Sequence, residues 1–109
     1  MFNKSNLKSY VGISLQETLL WLFTGSRGGK NRAKIVRLII KKPLNAYKIS
    51  EELNLNYNTI NHHLKLLQEH NIIYRNKNVK YGALYFVTNN MKSQREMFNN
   101  ILKNLKLEE

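Results

Sequence analysis

The stretch that decides the fold is residues 45–70, NAYKISEELNLNYNTINHHLKLLQEH. It begins with Asn45, whose side chain can accept hydrogen bonds from the free amides that start a helix over Ala46–Leu53. Three turn residues follow, and Asn56 can cap a second helix from Tyr57 to about His70. Two short helices joined by about three turn residues have the spacing of a helix-turn-helix.

The second helix has one apolar and one polar face. At about 100° per residue, Ile60, Leu64 and Leu67 fall together, with Tyr57 and His63 at the margins. The other side carries side chains that can bond to base edges or hold phosphates, namely Asn58, Thr59, Asn61, His62 and Lys65. A polar helix face alone is usually only a solvated surface. Between a capped short helix and a basic hairpin, it predicts a recognition helix in the major groove.

Beyond Asn71 the sequence changes from helix to strand spacing. Strands are predicted over Ile72–Arg75 and Ala83–Thr88, which are rich in aromatic and β-branched residues, with a polar tip over Asn76–Lys80. The basic side chains of this hairpin are Arg75, Lys77 and Lys80. We expect them to contact the DNA backbone. The order helix, helix, turn, helix, hairpin, helix predicts a winged helix-turn-helix, mainly α with a small β-hairpin.

Amphipathic helices are predicted on both sides of this unit. Capping-box pairs, Ser14 with Glu17 and Ser93 with Glu96, start them, the first running from about 15 to 24. Their apolar stripes consist of Leu15, Leu19, Leu22 and Phe23 in the first helix, and Phe98, Ile101, Leu102 and Leu105 in the last. Because the winged helix suffices for one small core, these stripes predict a homodimer interface, without deciding which helix forms it. The alternative is that both helices fold back onto their own domain.

Three segments follow from this division. Residues 1–29 hold a polar, frayed end over 1–13, the first helix and a glycine-rich hinge over Gly25–Gly29, and are predicted to dimerise. Residues 30–89 form the DNA-binding domain, which opens with a core-facing helix over Lys30–Lys41. Residues 90–109 form the last amphipathic helix, also predicted to dimerise.

The charge of the chain points to a polyanionic partner. Among 109 residues there are 18 Lys and Arg against 7 acidic residues, a formal net charge of +11. The chain is also rich in Asn, Ile and Tyr, and the same compositional bias raises its Lys content whatever its function. The distribution of the basic residues is therefore more informative than their total. Between Arg27 and Lys48 there are eight basic residues and no acidic one. This local positive field favours double-stranded DNA as the partner.

Composition also excludes several classes of protein. Without cysteine there is no disulfide framework, thiolate nucleophile or iron–sulfur cluster. Glu51 and Glu52 are neighbours on one helix, so they do not face each other as a pair of catalytic carboxylates would. The segment Gly25–Lys30 lacks the spacing of a phosphate-binding loop. We therefore expect no enzyme and no cofactor. The apolar stretch Val11–Thr24 is interrupted by polar residues and too short to span a membrane, and no export signal is recognised, so we expect a cytoplasmic protein with no membrane partner.

Residues Gly28–Phe86 resemble archaeal members of the ArsR-like winged helix-turn-helix regulators. The resemblance rests on Gly28-Gly29 followed by Arg32, on Pro43-x-Asn45-Ala46, on Tyr57-x-Thr59-Ile60-x-x-His63-Leu64, and on Tyr81-Gly82-x-x-Tyr85. It implies a DNA-binding transcription regulator, usually dimeric, with the second helix of the motif in the major groove and the wing on the backbone or minor groove.

Some members of that family sense metals, and the chain departs from them. It has no cysteine, and its last helix carries no histidine. The neighbours His62 and His63 point about 100° apart on a helix, so they cannot close on one ion without a second chain. We expect no metal site, a core-edge position for His63 and a DNA contact for His62.

Three other functions remain open from the sequence. The chain could be a winged-helix module for protein assembly, a nonspecific chromosome-coating or RNA-binding protein, or a peripheral membrane protein through its first helix. Binding through many phosphates weakens steeply as salt rises, which separates the DNA-binding functions from the assembly module.

Overall fold

The computed structural model describes residues 11–77 and 79–107, with side chains from residue 15 onwards. The helices are α1 (Val11–Leu20), which continues as a π-helical turn (Trp21–Gly25), α2 (Gly29–Lys41), α3 (Ala46–Leu53), α4 (Tyr57–Glu69), α5 (Asn89–Ser93) and α6 (Arg95–Asn104). The strands are β1 (Leu44–Asn45), β2 (Ile73–Arg75) and β3 (Leu84–Val87). Most of the frayed end predicted for residues 1–13, and the side chain of the predicted capping residue Ser14, lie outside this description. Helix α1 begins at Val11, before the predicted start at residue 15.

The helix-turn-helix is confirmed, including both of its caps. The Asn45 side chain accepts a hydrogen bond from the Lys48 amide at 2.8 Å, and that of Asn56 accepts one from the Asn58 amide at 2.7 Å. Asn54 ends α3 in the left-handed conformation, with φ of 53°, which asparagine adopts more readily than most residues. Local side-chain chemistry therefore sets both ends of the turn.

The wing is larger than the predicted hairpin by one strand. The sheet is antiparallel in the order β1-β3-β2, and Arg75 pairs with Tyr85 while Tyr74 pairs with Phe86. Strand β1 has only two residues, directly after Pro43, and Leu44 pairs with Tyr85. It joins the start of α3 to the wing, so the mainly α fold with a small sheet is confirmed and extended.

One core serves the whole described chain. Helix α2 contributes Ile35, Val36 and Ile39, while α4 contributes its predicted apolar face. Leu38 of the same helix, which is predicted to be core-facing, is only half-buried. The first and last helices add their own apolar side chains to the same cluster.

The premise behind the predicted dimer interface is therefore wrong. Leu19, Leu22, Phe23, Phe98, Ile101 and Leu102 are buried within the protomer, and Leu15 and Leu105 pack half-buried against the same core. The rings of Phe23 and Phe98 meet edge to face, with centroids 5.1 Å apart. The stripes cover each other and the winged helix, which is the fold-back alternative. A dimer stays a prediction, but it needs other residues at its surface.

The predicted glycine hinge is a packed corner. Gly29 is buried, and a Cβ atom built on it would lie 2.5 Å from the Phe23 carbonyl oxygen, which no side chain tolerates. Gly28 adopts φ of 81°, a conformation natural to glycine. These glycines allow a close turn between the π-helical segment and α2, and they do not detach the first helix.

The start of the last helix also differs from the predicted capping box. Ser93 lies inside α5, where its hydroxyl donates to the Asn90 carbonyl at 2.7 Å. The cap is Thr88, whose hydroxyl accepts from the Met91 amide at 3.1 Å. Helix α6 then begins at Arg95 without a side-chain cap. The sequence pattern predicted a single helix capped by Ser93. The chain instead forms a short helix capped by Thr88 and then starts a second helix at Arg95.

Candidate nucleic-acid interface

Helix α4 presents the predicted polar face to solvent. Asn58, Thr59, His62 and Lys65 are exposed, and Asn61 is half-buried at one edge. The opposite face is fully buried through Ile60, Leu64 and Leu67. The predicted orientation of the helix is thereby confirmed.

The buried side of α4 is held by an arginine that sequence reasoning counted as surface charge. Arg32 is only 2% exposed, and its guanidinium donates to the carbonyls of Leu22 and Arg27, each at 2.9 Å. It also bonds to the Ser26 hydroxyl, and its Nη1 lies 3.2 Å from Nδ1 of His63. Because a guanidinium only donates, His63 accepts at Nδ1 and carries its proton on Nε2. Arg32 thus ties the corner after α1 to the recognition helix.

His63 occupies the predicted core-edge position. It is 6% exposed. Burial lowers the pKa of His63 below its usual value, and the positive charge of Arg32 and the neighbouring His62 lower it further. The imidazole is therefore neutral near pH 7, which keeps it an acceptor for Arg32. Burial also lowers the pKa of Arg32.

Three of the eight basic residues in the positive field predicted over residues 27–48 are held by contacts within the protein. Arg32 is buried, and Arg37 donates to the carbonyl of Leu107 near the end of α6. Lys48 lies 3.7 Å from the carboxylate of Glu51, one turn along α3. The signal that could have separated Arg32 is its spacing, since it precedes the buried Ile35 and Val36 by three and four residues on one helix face.

The wing displays its predicted basic residues. Arg75, Lys77 and Lys80 are all exposed. Arg75 donates to the Val79 carbonyl at 3.1 Å, which braces the tip of the hairpin. The Lys80 ammonium lies 5.5 Å from the centroid of the Tyr81 ring, and that ring is 81% exposed. Two cations and an aromatic side chain therefore project from the tip.

A cleft of about 280 Å³ lies where the wing meets the N-terminal ends of α3 and α4. It is lined by Asn45, Ala46, Tyr47, Tyr57, Asn61, Arg75, Lys80, Tyr81, Gly82, Ala83 and Tyr85. The cleft brings together three of the predicted site residues, Asn61, Arg75 and Lys80. The other predicted residues lie outside its lining.

Sequence reasoning missed the tyrosines of this cleft. Tyr47, Tyr57 and Tyr81 are between 50% and 81% exposed, and no acidic side chain lines the cleft with them. Burial raises the pKa of Tyr85. Exposed phenol groups beside an amide and two cations can hydrogen-bond phosphate and sugar oxygens. Their type gave no signal, because aromatic residues on α3 and the wing are also the expected core and strand residues.

Two other kinds of site are absent from the described residues. Within residues 11–77 and 79–107, no group of three or more His, Asp and Glu side chains is arranged to hold a metal ion. No helix in the same part of the chain has the length and apolar character needed to cross a membrane.

The sequence of residues 29–75 matches the family model described as "Bacterial regulatory protein, arsR family". The predicted resemblance to ArsR-like regulators is thereby confirmed for the segment from α2 to the end of β2. A comparison with curated protein sequences gives no match.

Several solved structures share the fold. AbfR of Staphylococcus epidermidis is similar with a TM-score of 0.62 and 19% identity, over 93% of this chain and 68% of that one. BldR from Sulfolobus solfataricus, a transcriptional regulator, gives 0.64 and 14%, over 93% and 73%. Reduced HlyU from Vibrio cholerae gives 0.61 and 15%, over 88% and 95%. The architecture is therefore the winged helix of these proteins.

Proposed function

We propose that the protein is a DNA-binding transcriptional regulator that inserts α4 in the major groove of double-stranded DNA. The observation that carries the proposal is the joint exposure of the polar face of α4 and the basic wing around one cleft free of acidic side chains. Because its apolar face stays packed in the protein core, the helix can present its polar face to a DNA groove. The arsR-family match and the fold support this function.

Each side chain has a role set by its position. Asn58, Asn61 and His62 lie in the N-terminal half of α4, which is the half of a recognition helix that reaches base edges. Thr59 and Lys65 border them and suit the phosphate backbone. Amide side chains can bond to adenine through both of their polar atoms, which makes Asn58 and Asn61 the main candidates for sequence reading.

The wing and the cleft would hold the backbone. Arg75, Lys77 and Lys80 supply positive charge, and Tyr47, Tyr57 and Tyr81 supply hydroxyl groups beside it. Contacts of this kind fix the register of the protein on the duplex, and they add affinity on every sequence. The proposal assigns binding rather than catalysis, needs no cofactor, and places the protein in the cytoplasm with the chromosome.

The proposed regulator is a homodimer. Leu20 and Trp21, at the end of α1, are 47% and 46% exposed, and the Trp21 ring lies 5.6 Å from that of His70 at the end of α4. Large apolar side chains exposed together favour a contact with a second copy. A two-fold pair would set two recognition helices about 34 Å apart, one turn of DNA, and would read an approximately palindromic site. Sedimentation of the protein at micromolar concentration, with and without DNA, tests this. A protein that is monomeric both free in solution and bound to DNA would contradict it.

Selection of bound duplexes from a random pool, followed by footprinting, tests the function itself. The expected result is one enriched motif, protected on one face, with affinity that falls steeply as salt rises. Tight binding without an enriched motif would instead indicate a nonspecific chromosome-coating or RNA-binding protein. No binding at low salt would contradict the proposal and favour the assembly module.

A further inference from the structure

The tyrosines of the cleft expose more surface than duplex DNA can use. Tyr47, Tyr57 and Tyr81 are 63%, 50% and 81% exposed, so much of each aromatic side chain is bare. A phosphate or sugar oxygen needs only the hydroxyl group of such a side chain. Paired bases present their edges to a protein, because neighbouring base pairs cover their flat faces. The flat faces of these rings therefore have no stacking partner in a duplex.

The fold brings tyrosines from three segments to one cleft. Tyr47 is in the first turn of α3, and Tyr57 is the first residue of α4. Tyr81 lies on the wing, which reaches the start of α3 because Asn45 pairs with β3 in the sheet. A Cβ atom built on Gly82, next to Tyr81, would lie 3.9 Å from the amide nitrogen of the Asn45 side chain. Backbone pairing and close approach thus fix the wing against α3.

Two cations line the same cleft. Arg75 uses one N–H group to bond the Val79 carbonyl, and a guanidinium has five, so it can bind a phosphate as well. The Lys80 ammonium lies 5.5 Å from the centroid of the Tyr81 ring, yet that residue is 81% exposed. No acidic side chain lines the cleft. The cleft therefore offers aromatic surface directly beside positive charge.

Aromatic rings beside cations form the arrangement that holds single-stranded nucleic acid. Unpaired bases stack on the rings, which accept every base because each has a flat face, while positive charge follows the backbone. The cleft volume of about 280 Å³ is close to the lower limit of ligand pockets, about 300 Å³, so it suits one nucleotide. Asn61, half-buried at its edge, supplies an amide that can bond to the edge of that base.

We propose that the cleft binds one unpaired nucleotide of single-stranded DNA. Its base lies against the rings of Tyr47 and Tyr81, and its phosphate lies at Arg75 and Lys80. The choice of DNA rests on the proposed function, because the cleft adjoins the face of α4 that would meet DNA. Binding of a single strand goes beyond the reading of duplex DNA, and the two forms of DNA would compete for the cleft.

The test is fluorescence anisotropy with the full chain, using a labelled oligodeoxyuridylate of about eight nucleotides as the probe. Its matched probe is an abasic oligomer with the same number of phosphates. We expect the oligodeoxyuridylate to bind at least about fivefold more tightly than the abasic oligomer, which is the lower end of what one base gains by stacking on an aromatic ring. Oligouridylate of the same length should bind no more tightly than oligodeoxyuridylate.

Tyrosine variants locate this preference. The double variant Tyr47→Leu, Tyr81→Leu should lose most of the difference between the two oligomers, and unchanged binding of the abasic oligomer shows that its fold and charge are intact. Tyr47→Phe, Tyr81→Phe keeps the rings and should retain the difference. The matched control is Tyr74→Leu, since Tyr74 is 51% exposed on the same wing but does not line the cleft. It should bind both oligomers like the unmodified protein.

The proposal is overturned if the unmodified protein binds the two oligomers equally, or if the double leucine variant keeps the full difference. Tighter binding of oligouridylate would overturn the assignment to DNA in favour of RNA. The proposed function is judged separately, by enrichment of a duplex motif that contains no unpaired nucleotide. Failure of one result therefore does not imply failure of the other.

Discussion

The two faces of α4 place similar residues in opposite roles. His62 is exposed on the polar face, whereas its neighbour His63 is buried and accepts a hydrogen bond from Arg32. The basic residues divide in the same way, because Arg32 ties two segments of the core together while Lys77 and Lys80 project from the wing. Position relative to the core, rather than residue type, decides whether a cation or an imidazole stabilises the fold or faces a ligand.

The largest expected effect is on the buried face. Leu64→Ala should lower the free energy of unfolding by about 2–5 kcal/mol, because it removes a side chain that is 1% exposed and leaves a cavity. The control on the next residue, Lys65→Ala, should change it by no more than about 0.5 kcal/mol. Chemical denaturation measures both. Equal stability of the two variants would show that the faces of α4 are assigned the wrong way round.

Arg32 should come next. Arg32→Met keeps an apolar stem but leaves the Leu22 and Arg27 carbonyls without their donor, so we expect a loss of about 1–3 kcal/mol in the free energy of unfolding. Lys30→Met, at an exposed position of the same helix, serves as the control. If both variants melt at the same temperature, Arg32 is ordinary surface charge and the contrast between the two sets of cations fails.

On the exposed side, the wing should affect affinity without affecting stability. Replacing Lys77 and Lys80 with Met should weaken binding to every duplex and reduce the slope of log affinity against log salt by about two units, one for each lost phosphate contact. Lys103→Met on α6 should leave that slope unchanged. A double variant with the slope of the unmodified protein would place the wing away from the DNA.

The two histidines should differ in how stability depends on pH. Burial and the charge of Arg32 lower the pKa of His63 in the folded protein, so the unfolded chain binds more protons just below pH 6.5, the usual histidine value. Stability contributed by a neutral His63 is therefore complete above about pH 6.5 and is lost as the pH falls below it.

Unfolding curves at several pH values test this difference. His63→Gln should flatten the dependence of unfolding free energy on pH below about 6.5, whereas His62→Gln, which keeps the contact between His63 and Arg32, should retain it. A pH dependence that disappears only in the His62 variant would reverse the roles assigned to the pair.

The predictable parts of the fold are those that depend on neighbours in sequence. The caps at Asn45 and Asn56 and the buried face of α4 follow from side-chain type and helical spacing, and all are observed. Strand β1 could not be predicted, because Leu44 becomes a strand only by pairing with the distant Tyr85. The same holds for the terminal helices, since the sequence shows that Phe23 and Phe98 are apolar but not that they meet.

The candidate site divides in the same way. The exposed polar residues of α4 were predictable from periodicity. The cleft was not, because it exists only once the wing folds back toward the start of α3 and places Tyr81 and Arg75 near Tyr47. The role of Arg32 was hidden for a related reason: its acceptors, the Leu22 and Arg27 carbonyls, are backbone groups whose position no sequence pattern encodes.

The central claim is that the exposed face of α4 reads DNA sequence, and Asn61→Ala tests it most directly. Affinity of the variant and of the unmodified protein is measured on the selected duplex and on a scrambled duplex of equal length, at one salt concentration. The account predicts a loss of about 1–3 kcal/mol on the selected duplex and little change on the scrambled one, because the lost contact is to a base edge. An equal loss on both duplexes, or none on either, would contradict it.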